Sequence, residues 1–120
     1  MSDMITPKRL AGILRGHRYP TTTELALQDA IEQRLQDCGV TYERECIMGP
    51  KDRIDFLAAG QIGIEAKTRY PRRQIFRQLE RYCDGHGLQG LILVTGTYLG
   101  LPEQINGVPL FLVSTGRAAL

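Results

Sequence analysis

The stretch from Arg53 to Lys67 restricts this chain more than any other. It is two short apolar runs joined at Gly60, with charges at positions where strand residues are ordinarily neutral. Ile54, Phe56 and Ala58 alternate in the first run and Ile62, Ile64 and Ala66 in the second, while Asp55, Glu65 and Lys67 fall on the other parity. Charges inside a hairpin are costly unless they face water, pair with each other or hold something. Two carboxylates brought together repel, so a site that keeps both ionised calls for a cation between them. Loop length decides whether they meet. A two-residue loop sets Asp55 opposite Ala66 and turns Glu65 to the other face, whereas an odd loop puts Asp55, Glu65 and Lys67 on one face. We expect a three-residue loop, Ala58-Ala59-Gly60, with Gly60 left-handed and Asp55 paired with Gly63.

The spacing Ile54-Asp55, nine residues, then Glu65-Ala66-Lys67 resembles the active-site signature of the PD-(D/E)xK nuclease superfamily, with Ile54 where that name has proline. Gln78-Leu79-Glu80-Arg81-Tyr82 resembles the Gln-x-x-x-Tyr motif of its RecB-type branch. Together these cover roughly residues 24 to 95. The resemblance implies an α/β class, a restriction-endonuclease-like mixed β-sheet flanked by helices with an α-β-β-β-α-β core, as in a small phage or bacterial nuclease. It also implies Mg²⁺ or Mn²⁺ held by Asp55, Glu65 and the Ala66 carbonyl, with Lys67 orienting or deprotonating the attacking water. By the same resemblance Gln78 steadies the constellation, and Tyr82 packs behind it or against nucleic acid.

Thr21 to Cys38 reads as a helix, with Leu27, Ile31 and Leu35 as its apolar stripe, Thr21 as its cap and Gly39 as its stop. Glu24 has two readings: Thr21-x-x-Glu24 is a capping box, and many relatives in the superfamily carry a metal-site acid on this helix. Val40 to Met48 alternates as a strand with Val40, Tyr42, Arg44 and Cys46 on one parity; Glu45 is either an exposed strand residue or an extra acid. After the turn Gly49-Pro50-Lys51-Asp52 and the central hairpin, Pro71 opens a helix to about Asp84, stopped by Gly85. Ile75, Leu79 and Tyr82 or Cys83 are its buried stripe, Arg73, Arg77 and Arg81 lie beside it, and Gln74, Gln78 and Tyr82 form the row between.

Gly85-His86-Gly87-Leu88-Gln89-Gly90 matches a dinucleotide-binding pattern literally, but it follows a helix and precedes a strand, the reverse of the required order. Leu91 to Thr95 reads as a strand buried on both faces. Pro102 to Asn106 is expected as a short helix and Val108 to Val113 as the last strand. His17 and His86 lack partners at ligand spacing and receive no catalytic role.

At 120 residues the chain suffices for one core, expected over residues 21–120. Pro7, Gly12, Gly16 and Pro20 predict a flexible basic arm over residues 1–20, with at most a turn or two of helix around Arg9 to Leu14, either folding onto nucleic acid or disordered. No run is long enough to span a bilayer and no signal peptide is visible, so a cytoplasmic protein is expected, and its three separated cysteines read as free thiols.

The net charge of +2 matters less than the clustering of its cations. Lys51, Arg53, Arg69, Arg72, Arg73, Arg77 and Arg81 surround the central motif, and arginine forks suit phosphate oxygens. The function expected is metal-dependent hydrolysis of phosphodiester bonds, with DNA favoured over RNA, a structure-specific substrate such as a junction, flap or end, and a homodimer or recruitment to a larger DNA-processing complex by analogy. Two other classes stay open: a nucleic-acid-binding module with an inactive site, and a structural α/β protein in which these charges form an ion-pair network.

Overall fold

The alternating runs of residues 42–67 become three antiparallel strands, β1 (Tyr42–Ile47), β2 (Arg53–Ala58) and β3 (Ile62–Lys67). These coordinates are a computed structural model that describes residues 5–97 and 99–115. Helices α1 (Pro7–Arg15) and α2 (Glu24–Asp37) precede the strands; α3 (Arg72–Tyr82), β4 (Gly90–Thr95), β5 (Gln104–Ile105) and β6 (Val108–Ser114) follow. The strands form one six-stranded mixed sheet in the order β1-β2-β3-β4-β6-β5, with β3–β4 and β4–β6 parallel. The run α2-β1-β2-β3-α3-β4 has the α-β-β-β-α-β order expected from the sequence. Among the described residues no helix is long and apolar enough to cross a membrane.

Helices cover both faces of the sheet. Leu10, Ala11 and Leu14 of α1 and Leu27, Ile31 and Leu35 of α2 share one core with Phe56, Ala58, Ile62, Ile64, Ala66, Ile92 and Val94. Ile75, Leu79 and Tyr82 of α3 share the other with Ile54, Leu91 and Leu93. β4 supplies alternate residues to both and is buried along its whole length, as its continuous apolar run predicts.

Within the segment expected as a flexible arm with at most a turn or two of helix, Pro7–Arg15 form a packed helix, while residues 1–4 lie outside the described residues. Thr6 accepts from Arg9 N–H at 3.1 Å as N-cap, Pro7 takes the first turn where its missing N–H costs nothing, and Gly16 ends the helix. Proline and glycine here mark a helix and its borders rather than loose chain. Helix α2 starts later than expected, at Glu24, with Thr23 and not Thr21 as cap, accepting from Ala26 N–H at 3.0 Å. The short helix expected over residues 102–106 is absent; β5 and β6 form a hairpin whose two-residue turn, Asn106-Gly107, has φ of 51° and 82°. Two positive φ values in that turn are what strand twist demands, and Asn-Gly is the pair that supplies them.

The central loop is odd, as expected, but shifted by one residue. Phe56 pairs with Ile64, Leu57 with Gly63 and Ala58 with Ile62, leaving Ala59-Gly60-Gln61 as the loop, with Gly60 at φ 92°. Asp55 therefore stands across from Glu65 rather than Gly63. A second departure lies beside it. Ile54 and Cys46, expected on the faces of Phe56 and Arg44, lie in the α3-side core. Glu45, between the Arg44–Phe56 and Cys46–Ile54 pairs and so opposite Asp55, has φ 58°, and the sheet faces exchange at that point. Ile54 then packs over Gly63, where a Cβ would come within 2.5 Å of Ile54 Cδ1.

Candidate active site

The regular β2–β3 pairing stops at Phe56 and Ile64, and one step further side chains replace backbone as partners. Asp55 N–H donates to Glu65 Oε1 at 3.2 Å, and Ala66 N–H donates to Asp55 Oδ2 at 2.8 Å. Each carboxylate thus satisfies a donor on the opposite strand and is fixed in orientation by it. Lys67 follows on the same face, with Nζ 3.1 Å from Glu65 Oε2 and 3.8 Å from Glu24 Oε1. Asp55, Glu65 and Lys67 are all buried, Glu65 to 2% exposure. Tyr70, which the sequence reading passed over, lies 4.5 Å from the Lys67 ammonium, ring centroid to Nζ.

Burial, opposed by the Ala66 N–H and by Lys67, pushes the Asp55 carboxyl up to about 6. Burial, with the Asp55 charge adding to it and Lys67 opposing it, pushes Glu65 up to about 7. Burial pulls Lys67 down, but Glu65, Glu24 and Asp55 outweigh it and hold the ammonium above its ordinary value. Negative charge is in excess here, and one lysine does not balance it.

This donor set fits a hard divalent cation. Two carboxylates with unlike fixed orientations and the Ala66 carbonyl are oxygen ligands of the kind that Mg²⁺ and Mn²⁺ take, with water completing the shell. The described residues contain no cluster of three His, Cys, Asp or Glu placed as metal ligands, so the set rests on two acids and a backbone oxygen. Glu24 is no cap, because Thr23 fills that role; it reaches toward Lys67 instead.

Helix α3 forms the other wall. Lys67, Tyr70, Gln74, Ile75, Gln78 and Arg81 line a cleft of about 290 Å³. Gln78 Nε2 donates to Tyr82 Oη at 2.8 Å, and Tyr82 donates to the Arg53 carbonyl at 3.0 Å. Tyr82 is buried, so it packs behind the site and ties α3 to the start of β2. Gln78 steadies that tyrosine rather than the carboxylates.

The expected phosphate contacts divide into two sets. Lys51, Arg69, Arg72, Arg73 and Arg77 are exposed and, among the described residues, in no ion pair. Arg53 and Arg81 are exposed too, but Arg53 Nε lies 3.4 Å from Glu45 Oε1 and Arg81 Nε 3.1 Å from Asp52 Oδ1. Asp52 also holds His86 at 3.1 Å, a partner far outside ligand spacing in the sequence. Burial would raise the Asp52 carboxyl, yet His86 and Arg81 hold it below its usual range. Residues 52 and 86 come together only through the fold, and no sequence signal joins them.

Comparison of the chain with protein-family models, curated proteins and solved structures finds no match. The functional reading rests on the residues themselves.

Proposed function

We propose that the protein is a metal-dependent nuclease that hydrolyses DNA phosphodiester bonds. The observation that supports this reading best is the reciprocal capping of Asp55 and Glu65 across an interrupted strand pair, with Lys67 3.1 Å from the second carboxylate. Structural ion pairs do not need two buried acids in excess of their cation. A cation-binding site does.

Asp55, Glu65 and the Ala66 carbonyl would hold Mg²⁺ or Mn²⁺, which when bound supplies charge stabilisation at the phosphate and acidifies water. Lys67, 3.1 Å from the second carboxylate, orients the attacking water or takes its proton. Water oxygen bonds to phosphorus, one P–O ester bond breaks, and the departing oxygen takes up a proton. Arg69, Arg72, Arg73 and Arg77 neutralise the flanking phosphates, and Gln78 and Tyr82 keep β2 in place beneath Asp55.

One observation favours a second reading, a nucleic-acid-binding module without chemistry: the Lys67 ammonium is itself a counter-ion for Glu65 and Glu24. Cleavage of single-stranded, duplex, flapped and four-way DNA with Mg²⁺, Mn²⁺ or EDTA decides between them. Metal-dependent scission that is lost in Lys67→Ala, with binding nearly unchanged, is expected. Tight binding with no scission under either metal gives the answer to the binding module.

A further inference from the structure

The cleft beside Lys67 is not the only depression along α3. A groove of about 610 Å³ lies on the other flank, lined by Arg72, Arg73, Phe76, Arg77, Leu99 and Leu101. Ile75 lines both, so cleft and groove adjoin across the first turns of the helix. Phe76 is 38% exposed, an aromatic ring left in water between arginines. None of the three arginines is in an ion pair among the described residues, and Glu80 is the one acid lining the groove.

An open ring flanked by unpaired guanidinium groups suits one kind of partner. The arginines match phosphates, and the ring offers a stacking surface for a base. Duplex DNA stacks its bases internally and presents only its backbone and groove edges, so the ring would go unused. A second copy of this chain would bring arginine against arginine. An apolar peptide would leave all three cations unanswered.

We infer that this groove holds a single-stranded DNA segment adjoining the phosphate to be cleaved, with one unpaired base stacked on Phe76 and Arg73 and Arg77 on the neighbouring phosphates. The inference rests on the nuclease reading for its partner and gives that enzyme a substrate class: DNA with an unpaired segment.

The test is binding without chemistry. Fluorescence anisotropy in EDTA compares a short labelled oligothymidylate with a duplex of equal length, for wild type, Phe76→Ala, Phe76→Leu and Phe76→Tyr. Phe76→Ala and Phe76→Leu should each weaken single-strand binding about tenfold. Duplex affinity should change by less than about twofold, since phosphate contacts persist, and Phe76→Tyr should bind as wild type does. Phe76→Leu keeps apolar bulk without an aromatic face, so the test survives if the alanine variant fails to fold. Equal losses on both DNAs, or wild-type affinity in Phe76→Leu, would overturn the stacking site. Cleavage is scored separately on the same proteins. Scission indifferent to the Phe76 variants removes this inference alone, whereas aromatic-dependent binding without any scission removes only the enzyme.

Discussion

Two cations bridge α2 and the sheet, each facing two carboxylates. Arg44 on β1 meets Asp29 and Glu32 at 2.9 and 2.8 Å and Gln28 Oε1 at 3.3 Å, with Tyr42 donating to Glu32 at 2.7 Å. Its side chain is 22% exposed and lies 5.7 Å from the Phe56 ring centroid. Lys67 on β3 meets Glu65 and Glu24 at 3.1 and 3.8 Å, and its side chain is 9% exposed. At Arg44 the acids reach water and a planar fork satisfies several acceptors at once. At Lys67 a single ammonium faces a buried Glu65 and a half-buried Glu24, with the buried Asp55 as a further acid. The first arrangement is complete. On the proposed reading the second is completed by a divalent cation.

Exchanging the two clusters' fates is the sharpest way to test this. Lys67→Ala should lower single-turnover cleavage by about 10²–10⁴-fold with a small change in dissociation constant. Arg44→Ala should cut at the wild-type rate, and equal losses in the two variants, measured on one substrate, would dissolve the distinction. Next in size is metal-linked stability. At a Mn²⁺ concentration about a hundredfold above its dissociation constant, wild type should gain ~2.7 kcal/mol in denaturant melts. Glu65→Gln should abolish that gain and Glu32→Gln should keep it; a metal-independent wild type would place Lys67 beside Arg44 as a structural ion pair.

Arg44→Ala should lower stability by ~1–2 kcal/mol through its lost ion pairs and its packing over Phe56, read from urea melts. Stability should also depend on pH. In EDTA the fold retains protons on Asp55 and Glu65 up to about 6 and about 7, while the unfolded chain loses them near 3.8 and 4.5. The native state binds more protons across that window, so stability should fall as pH rises from about 4 to about 7. Saturating Mn²⁺ should flatten the slope, and an equal slope in Glu65→Gln would assign it to other groups.

Much of the site could be read from alternation. Placing Asp55, Glu65 and Lys67 together needed only an odd loop, although strand parity itself fails for Ile54 where the faces exchange. Register was not fixed by it, because Ala58, Ala59 and Gly60 offer equivalent ways to turn, and Ala59 itself adopts φ 49°. Three successive threonines made Thr23 indistinguishable from Thr21 as a cap, which left Glu24 with two roles. The exchange of faces at Glu45 was invisible because nothing in a glutamate announces a left-handed φ. Helix α1 is more than the turn or two that its glycines and prolines suggest, and Thr6-Pro7 is its start signal. Asn106-Gly107 was a hairpin signal in plain view.

Helix α1 also governs when the protein can exist as a folded object. Arg15 Nη2 donates to the Leu112 carbonyl at 2.9 Å, 97 residues away, and Leu10 and Leu14 share a core with Val113 of β6. On a ribosome α1 is made before every other described element, and its place in the sheet layer is finished only when β6 emerges. Until then its apolar face can pack only against α2 and the earlier strands of that core, without Val113. Closure of this kind is slow, since a distant loop must be ordered before contact rewards it. Pulse-labelled hydrogen exchange should therefore show α1 amides gaining protection together with β6, after the β1–β2 pair, so that the carboxylate site is shaped before the scaffold around it has closed.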